Sequence, residues 1–557
     1  MTAHARRMAA LASEYLDLDR APLTMPRSRI LVLGRDEGVR VHTSEYERSL
    51  DQCRVIDKLV VRYPHGRPLP ITRVLPHRIE FDGGVVSLGF AGTRSLTVGL
   101  GDGDGAPSVV IESELPDGRP RLDTLSRTAP ALRIDIGPDR IAKFRASNRH
   151  REDLADAGKV WDDWFARCPI VRADLQPMTA LCWWVLGANI VELPGLGDAR
   201  AVVPSKIGYV GLWQWDAYFI AVGLRHGDPA LAREQLDLAF RFPTGAGQLP
   251  DVVHERGTLA SSVDLPDSDR ATLRRAGSAV ADPDSAVPLT KPPLAAWALR
   301  KVLEVEDADE WARVQLATIR RSQDWWFAGS DLDGDGMPEY GHPYSSGLDD
   351  SPIFDGPIPT VSPDLGAYLV LQDMEIAALT ERLGSGSVAP FRARAERTFA
   401  LLLDLWDPVD RRFHARGAEV VIASDTVVGL VPLLTGRLPD EMAGALVDAI
   451  DDPTRFAAPW SIPTVALSDP DFSPERMWRG PVWVNTNVLV IEGLRASGYP
   501  ERARQLAEQT VALVIHAGGP HEYFNPLTGE KAASATTSFG WSAALFIELA
   551  VGLSQGE

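Results

Sequence analysis

Cysteine is scarce in this chain: Cys53, Cys168 and Cys182 are the only ones in 557 residues, and no two form a CxxC pair. That excludes a disulfide framework and a cysteine metal site, leaving reduced thiols. Long apolar runs are lacking too, none approaching the roughly 20 residues that span a bilayer, so no membrane association is expected. The N-terminal "MTAHARRMAALASEYLDLDR" interrupts its apolar stretch with Ser and Glu before a signal-peptide core forms, and a cytoplasmic protein is expected. Cationic charge is in deficit, 57 Lys and Arg against 76 Asp and Glu leaving a net charge of -19. Nucleic-acid phosphates need clustered cations, so that partner is excluded. A small neutral or weakly charged ligand fits better.

What the chain does have is a soluble globular composition, 45% hydrophobic and 24% charged, over a length that predicts at least two domains. From Ser28 to Ala146 short alternating runs such as "RILVLG", "KLVVRYP", "VVSLGF" and "ALRIDIG" are separated by Gly and Asp. Period-two alternation of that kind predicts an N-terminal antiparallel β-sandwich over residues 1–148. Residues 149–557 then read as mainly α. "FRARAERTFALLLDLW" puts Phe391, Ala395, Phe399, Leu402 and Trp406 on one helical face, with Asp407-Pro408 ending it. "ERARQLAEQTVALVIHAGG" stripes Ala503, Leu506, Thr510 and Leu513 and stops at a glycine pair suited to a C-cap. Such helices suit hairpins in a ring or bundle. Residues 245–290 read as an insertion, either a lid or a surface segment.

The loops between these helices carry the chemistry. Of 15 tryptophans, Trp213, Trp215, Trp478, Trp483 and Trp541 sit in glycine- or polar-flanked text, where an indole face suits the C–H face of a sugar ring as well as it suits a core. Asp216 follows two of them at the start of an apolar helix, a place that favours a capping carboxylate or one that holds sugar hydroxyls. "MWRGPVWVNTNVL" adds Arg479, Asn485 and Asn487, multi-donor side chains that read hydroxyls or form a polar helix face. "SSGLDDSPIFDG" crowds Asp349, Asp350 and Asp355 beside Gly347, and "HEYFNPLTGE" supplies Glu522 between two aromatic rings. Separated carboxylates are what glycosidic hydrolysis requires: one acid protonates the leaving oxygen, and a base activates water. "DLDGDG" sets Asp331, Asp333 and Asp335 at positions one, three and five of a calcium-type loop, with His342 where the twelfth-position Glu belongs. A structural calcium and a plain acidic turn fit equally; no cofactor is required.

Four of these segments resemble, in order, the motifs of glycoside hydrolase family 63. "SGLDDSP" is similar to the GLDD(Y/S)P motif of the processing mannosyl-oligosaccharide α-glucosidases, "MWRGPVWVNTNVL" to their WRGP(I/V)W-N-N signature, and "HEYFNPLTGE" to their E-Y-(D/N)P-TGE segment. "VPSKIGYVGLWQWDAYF" looks like the W-WD-F segment of shorter bacterial members, which include mannosylglycerate and glucosylglycerate hydrolases. The resemblance implies an (α/α)6 barrel after the β-sandwich, with Asp349 as general acid and Glu522 as general base of an inverting, exo-acting α-glycosidase. It also implies that Trp213, Trp215, Asp216, Gly347, Trp478, Arg479, Trp483, Asn485 and Trp541 line the sugar subsite, and "TKPPLAAWAL", with Lys291, resembles a family segment near the pocket.

Ser345 and Asp350 side with the processing glucosidases, whereas the WQWD text sides with the bacterial enzymes. The expected activity is therefore an α-glucosidase acting on a small α-linked saccharide, with glycerate-linked sugars as the alternative. A sugar epimerase or a non-catalytic sugar-binding protein is the alternative of another class. Oligomeric state is left open.

Overall fold

The computed structural model describes residues 2–556 except 102–107, 194–195, 198, 266, 268–285, 357 and 418–419. It divides into two compact units, residues 1–211 with 536–543, and residues 212–535 with 544–557.

In the first unit one antiparallel sheet runs in the order Ile30–Arg35, Gly38–Thr43, Arg54–Arg62, Val109–Glu114, Pro120–Leu125. The other runs Ala142–Ser147, Ala131–Ile136, Ser95–Leu100, Val86–Phe90, Arg78–Phe81, Ile71–Leu75. Both sheets point alternate residues into one shared core, Val32, Val41, Leu59 and Ile111 from the first and Phe81, Leu88, Val98 and Ile134 from the second. That is a sandwich. The last strand ends at Ser147 and a helix begins at His150, so the change from strand to helix falls where the sequence changes character. The compact units divide later, at residue 211. The reason lies in His150, whose ring nitrogens bond Thr97 Oγ1 (2.9 Å) and Ser87 Oγ (2.8 Å) on the second sheet, joining the helix His150–Phe165 to the sandwich.

The second unit is helical. Every residue of Gln214–Leu224 is buried, and Ala295–Leu303 and Val484–Ala496 are nearly so. Pro229–Ala239, Ala389–Leu403, Asp440–Asp451 and Pro500–His516 instead bury one face each. A helix buried all round needs neighbours on every side, so the first group lies in the interior of the unit. The stripe Ala503, Leu506, Thr510 and Leu513 is buried as expected, and Gly518 follows the helix end at φ +77°, closing it. One boundary differs from expectation: the helix expected to reach Trp406 ends at Leu403, and Trp406–Asp407 pairs with Arg412–Phe413 as a small hairpin. Asp407 Oδ1 accepts the N–H groups of Val409 (2.7 Å) and Asp410 (3.1 Å), a local alternative to helix that the apolar period does not register.

Within 245–290, Val252–His254 pairs with Gly257–Leu259 as a hairpin, and much of the remainder falls outside the described residues. Among the described residues no helix is long and apolar enough to cross a membrane.

Candidate active site

The loop bearing Asp349 is shaped by its turn. Gly347 adopts φ +72°, closing the short helix Pro343–Ser346, and its N–H donates to the Tyr344 carbonyl (3.1 Å). A Cβ here would come within 2.2 Å of the Trp215 ring. Glycine is thus required twice over, by conformation and by the indole packed against it. Beyond the turn the two adjacent carboxylates part company. The Asp349 side chain keeps a third of its surface exposed (34%), whereas Asp350 accepts the backbone N–H of Trp478 (2.9 Å) and Arg476 Nε (3.1 Å). Burial holds the Asp350 carboxyl above the usual carboxylate range, with that N–H and the two nearby guanidinium groups opposing the shift. The third carboxylate, Asp355, grips Arg479 with both oxygens.

Behind Asp349 lies a buried ammonium. Lys291 Nζ is 3.0 Å from Asp251, 2.6 Å from the Tyr344 carbonyl and 3.9 Å from Asp349. Gln214 joins the segments that bring these groups together: its N–H donates to the Asp251 carbonyl (2.9 Å), and its side-chain oxygen accepts the Lys291 N–H (2.9 Å). Asp216, buried in the first turn of Gln214–Leu224, shares the same field. Burial raises its pKa well above normal, Lys291 opposes, and Asp251 and Asp349 add to the rise. Asp251 is likewise pushed up to about 6 by burial, with Lys291 opposing. Burial alone would lower the Lys291 pKa, but the carboxylates of Asp251, Asp349 and Asp216 outweigh it and keep the lysine charged.

Glu522 is buried, 3% exposed, on a segment tied to the same scaffold. Val482 and Phe524 exchange backbone bonds of 2.8 and 3.0 Å. The rings of Trp478 and Trp483 stack 3.7 Å apart, Trp483 stacks on Tyr523 at 4.7 Å, and Trp215 meets Trp478 at 6.1 Å. Burial pushes the Tyr523 hydroxyl up to about 12, with the Glu522 and Asp350 carboxylates adding to the effect, so one phenol senses both acidic loops. Glu475 and Arg476, consecutive in the chain, reach opposite loops: Glu475 accepts from Asn525 Nδ2 (2.5 Å) and Ala533 N–H (2.7 Å), while Arg476 pairs with Asp350.

The residues singled out in the sequence thus separate. Trp215, Asp216, Gly347, Asp349, Trp478, Arg479, Trp483 and Glu522 all belong to the second unit, as does Trp213, the residue preceding Gln214–Leu224. Trp541 falls in the first, where its ring meets Phe539 at 5.0 Å. Arg479 is committed to Asp355 rather than offering a bare guanidinium. Of the two asparagines on Val484–Ala496, Asn487 is fully bonded, to Ser461, Ile462 and Trp483. Asn485 is fully buried, and neither amide atom has a hydrogen-bond partner among the described residues. Asp251 and Gln214 escaped the sequence reading, because their roles arise from tertiary pairing with Lys291.

Asp331, Asp333 and Asp335 bring carboxylate oxygens within 4.8 Å of one another. Those residues fit a calcium loop in part. The twelfth position, His342, turns inward and caps its own turn by accepting the Tyr344 N–H at Nδ1 (3.0 Å).

Comparison with known proteins adds an independent line. The family model described as the mannosylglycerate hydrolase MGH1-like glycoside hydrolase domain matches residues 209–542. The mannosylglycerate hydrolase of Thermus thermophilus is 28% identical over 411 residues, covering 62% of this chain and 95% of that protein. The glucosylglycerate hydrolase of Mycolicibacterium hassiacum is 25% identical over 433 residues, covering 63% of this chain and 94% of its own length. The crystal structure of the family 63 mannosylglycerate hydrolase from Thermus thermophilus in complex with Tris and D-glycerate matches with a TM-score of 0.55 at 26% identity, covering 66% of this chain and 98% of that one.

Proposed function

The chain belongs to glycoside hydrolase family 63, and we propose that it is an inverting exo-acting α-glycosidase whose substrate is a hexose α-linked to glycerate, mannosylglycerate or glucosylglycerate. Full-length relatives with those names favour glycerate-linked sugars over the processing-glucosidase substrate that "SSGLDD" suggested. Family membership makes this a glycoside hydrolase, which sets the epimerase and binding-protein alternatives aside. Helices buried on all sides, together with helices buried on one face, support reading the second unit as an (α/α)6 barrel.

In this reading the hexose occupies a pocket walled by Trp213, Trp215, Trp478 and Trp483, Asp216 and Asn485 meet its hydroxyls, and Arg479, held by Asp355, braces the loop beside them. Asp349, protonated, gives its proton to the glycosidic oxygen as the anomeric C–O bond breaks. Glu522 takes a proton from the water that bonds to the anomeric carbon from the other face, releasing glycerate and the β-hexose. Room for that water sets a carboxyl separation of about 6.5–9.5 Å in inverting enzymes. The observation that carries the reading is the segment 475–483, which is hydrogen-bonded to the Asp349–Asp355 loop on one side and to the Glu522–Phe524 segment on the other.

The test is hydrolysis of mannosylglycerate, glucosylglycerate and α-linked glucobioses, with the first-formed anomer followed by proton NMR. A β-anomer from a glycerate glycoside, and a loss of about 10²–10⁴-fold in folded D349N and E522Q, are expected. An α-anomer, or full activity in either variant, would overturn the assignment.

A further inference from the structure

Asp349 has no neutral setting. Asp216 faces it from Gln214–Leu224, Lys291 faces it from the stretch before Ala295–Leu303 and is itself paired with Asp251 from the residue before the hairpin, and Asp350 with its partner Arg476 adjoins it in its own loop. His342 also lies within reach of Lys291 but is kept neutral, since burial and the ammonium lower its pKa to about 3. Three carboxyl groups therefore share one buried ammonium. They cannot all be ionised there without leaving uncompensated negative charge.

The distances show how that ammonium is shared. Lys291 is 4% exposed and makes its short contacts to Asp251 and to the Tyr344 carbonyl, the same oxygen that accepts the Gly347 N–H. At 3.9 Å from Asp349 it is an electrostatic neighbour rather than a close hydrogen-bond partner. Taking Asp349 as the general acid of the proposed reaction, we infer that Lys291 and Asp251 are positioning residues for it: Lys291 braces the Gly347 turn that aims the acid, and Asp251 absorbs most of the lysine's charge so that Asp349 retains its proton.

A lysine left alone beside a general acid would draw off that proton. A cluster with no lysine would bind it too firmly. Pairing the ammonium with a second, non-reacting carboxylate gives an intermediate field, and the two partners then exert opposite effects on one titration.

The experiment is the pH dependence of kcat/KM on whichever glycerate glycoside the enzyme cleaves, for wild type, K291M, K291R and D251N, each checked for folding by circular dichroism. The basic limb reports loss of the proton from the acid. K291M removes the cation and is expected to move that limb up by about half to one pH unit, and D251N, which turns the full ammonium charge on Asp349, to move it down by a similar amount. K291R keeps the charge and is expected to hold the limb near wild type even where kcat falls. Limbs that move the same way, or stay in place while kcat falls in both folded variants, overturn the inference. If K291M does not fold, D251N decides: a lower limb supports the pairing, and an unmoved or higher one ends it. Failure of the acid assignment itself reads differently, as undiminished hydrolysis by D349N.

Discussion

The Trp478 backbone N–H donates to the carboxylate of Asp350 at 2.9 Å, so the neighbour of the proposed acid is fastened to the residue whose ring stacks on Trp483. Trp483 in turn stacks on Tyr523, next to Glu522. The loops of the proposed acid and base are therefore held by one run of contacts.

Replacing Asp350 tests that fastening. Asn keeps an oxygen for the Trp478 N–H, whereas Ala leaves that donor unpaired at a cost of about 1–3 kcal/mol. D350A is expected to lose stability in urea titration and, by displacing Asp349 by an ångström or so, about 100-fold in kcat. D350N should lose much less of both.

Gly347→Ala meets two obstacles, a left-handed φ of +72° and the Trp215 ring 2.2 Å from the new Cβ. The backbone strain alone costs about 1–3 kcal/mol. Thermal unfolding should fall by several degrees, and hydrolysis should fall further than that loss of stability explains, because the turn that aims Asp349 has to shift.

The two asparagines of Val484–Ala496 should respond in opposite ways to leucine. Asn487 holds Ser461, Ile462 and Trp483, and N487L is expected to destabilise the fold by about 2–4 kcal/mol. Asn485 has no such bonds, so N485L should leave the melting temperature unchanged or raise it while kcat/KM on the glycoside drops. Equal loss of stability in both variants would remove Asn485 from the sugar subsite.

His342 makes stability pH-dependent with a definite sign. Its folded pKa of about 3 lies below the ordinary value of 6.5 because the ring is buried and near Lys291. Between those values the unfolded chain binds the extra proton and the folded one does not. Its contribution is thus complete above pH 6.5 and is lost as pH falls, by up to about 1.4 kcal/mol per pH unit. Asp251 and Asp364, raised to about 6 by burial, act in the opposite direction between their unfolded values and pH 6. Asn can retain the bond from Tyr344 N–H without titrating, so urea titrations of H342N from pH 7 to 4 should show a shallower loss than wild type.

How much was legible in the sequence follows from what each element needed. Central strands such as Val86–Phe90 are buried throughout and announced themselves as apolar runs, whereas the edge strands Ile71–Leu75, Pro120–Leu125 and Ala142–Ser147 bury almost nothing fully and carry no long apolar run to read. The glycine turn and the tryptophan segments were legible because each is local. Asp251 was not: a lone carboxylate in "QLPDVV" gains meaning only from Lys291, 40 positions on, and from the Gln214 bonds that draw the two together. Glu475 was hidden likewise, as its partners Asn525 and Ala533 lie beyond any periodic signal.

Because Glu475 and Arg476 bond to separate loops, the spacing between the proposed proton donor and water activator would be encoded in a stretch that neither residue of the pair belongs to. Stereochemical outcome and substrate choice become separable traits. Lengthening or shortening the exposed turn at 526–529 should reshape what the proposed pocket admits, while leaving the direction of attack to the strip 475–483.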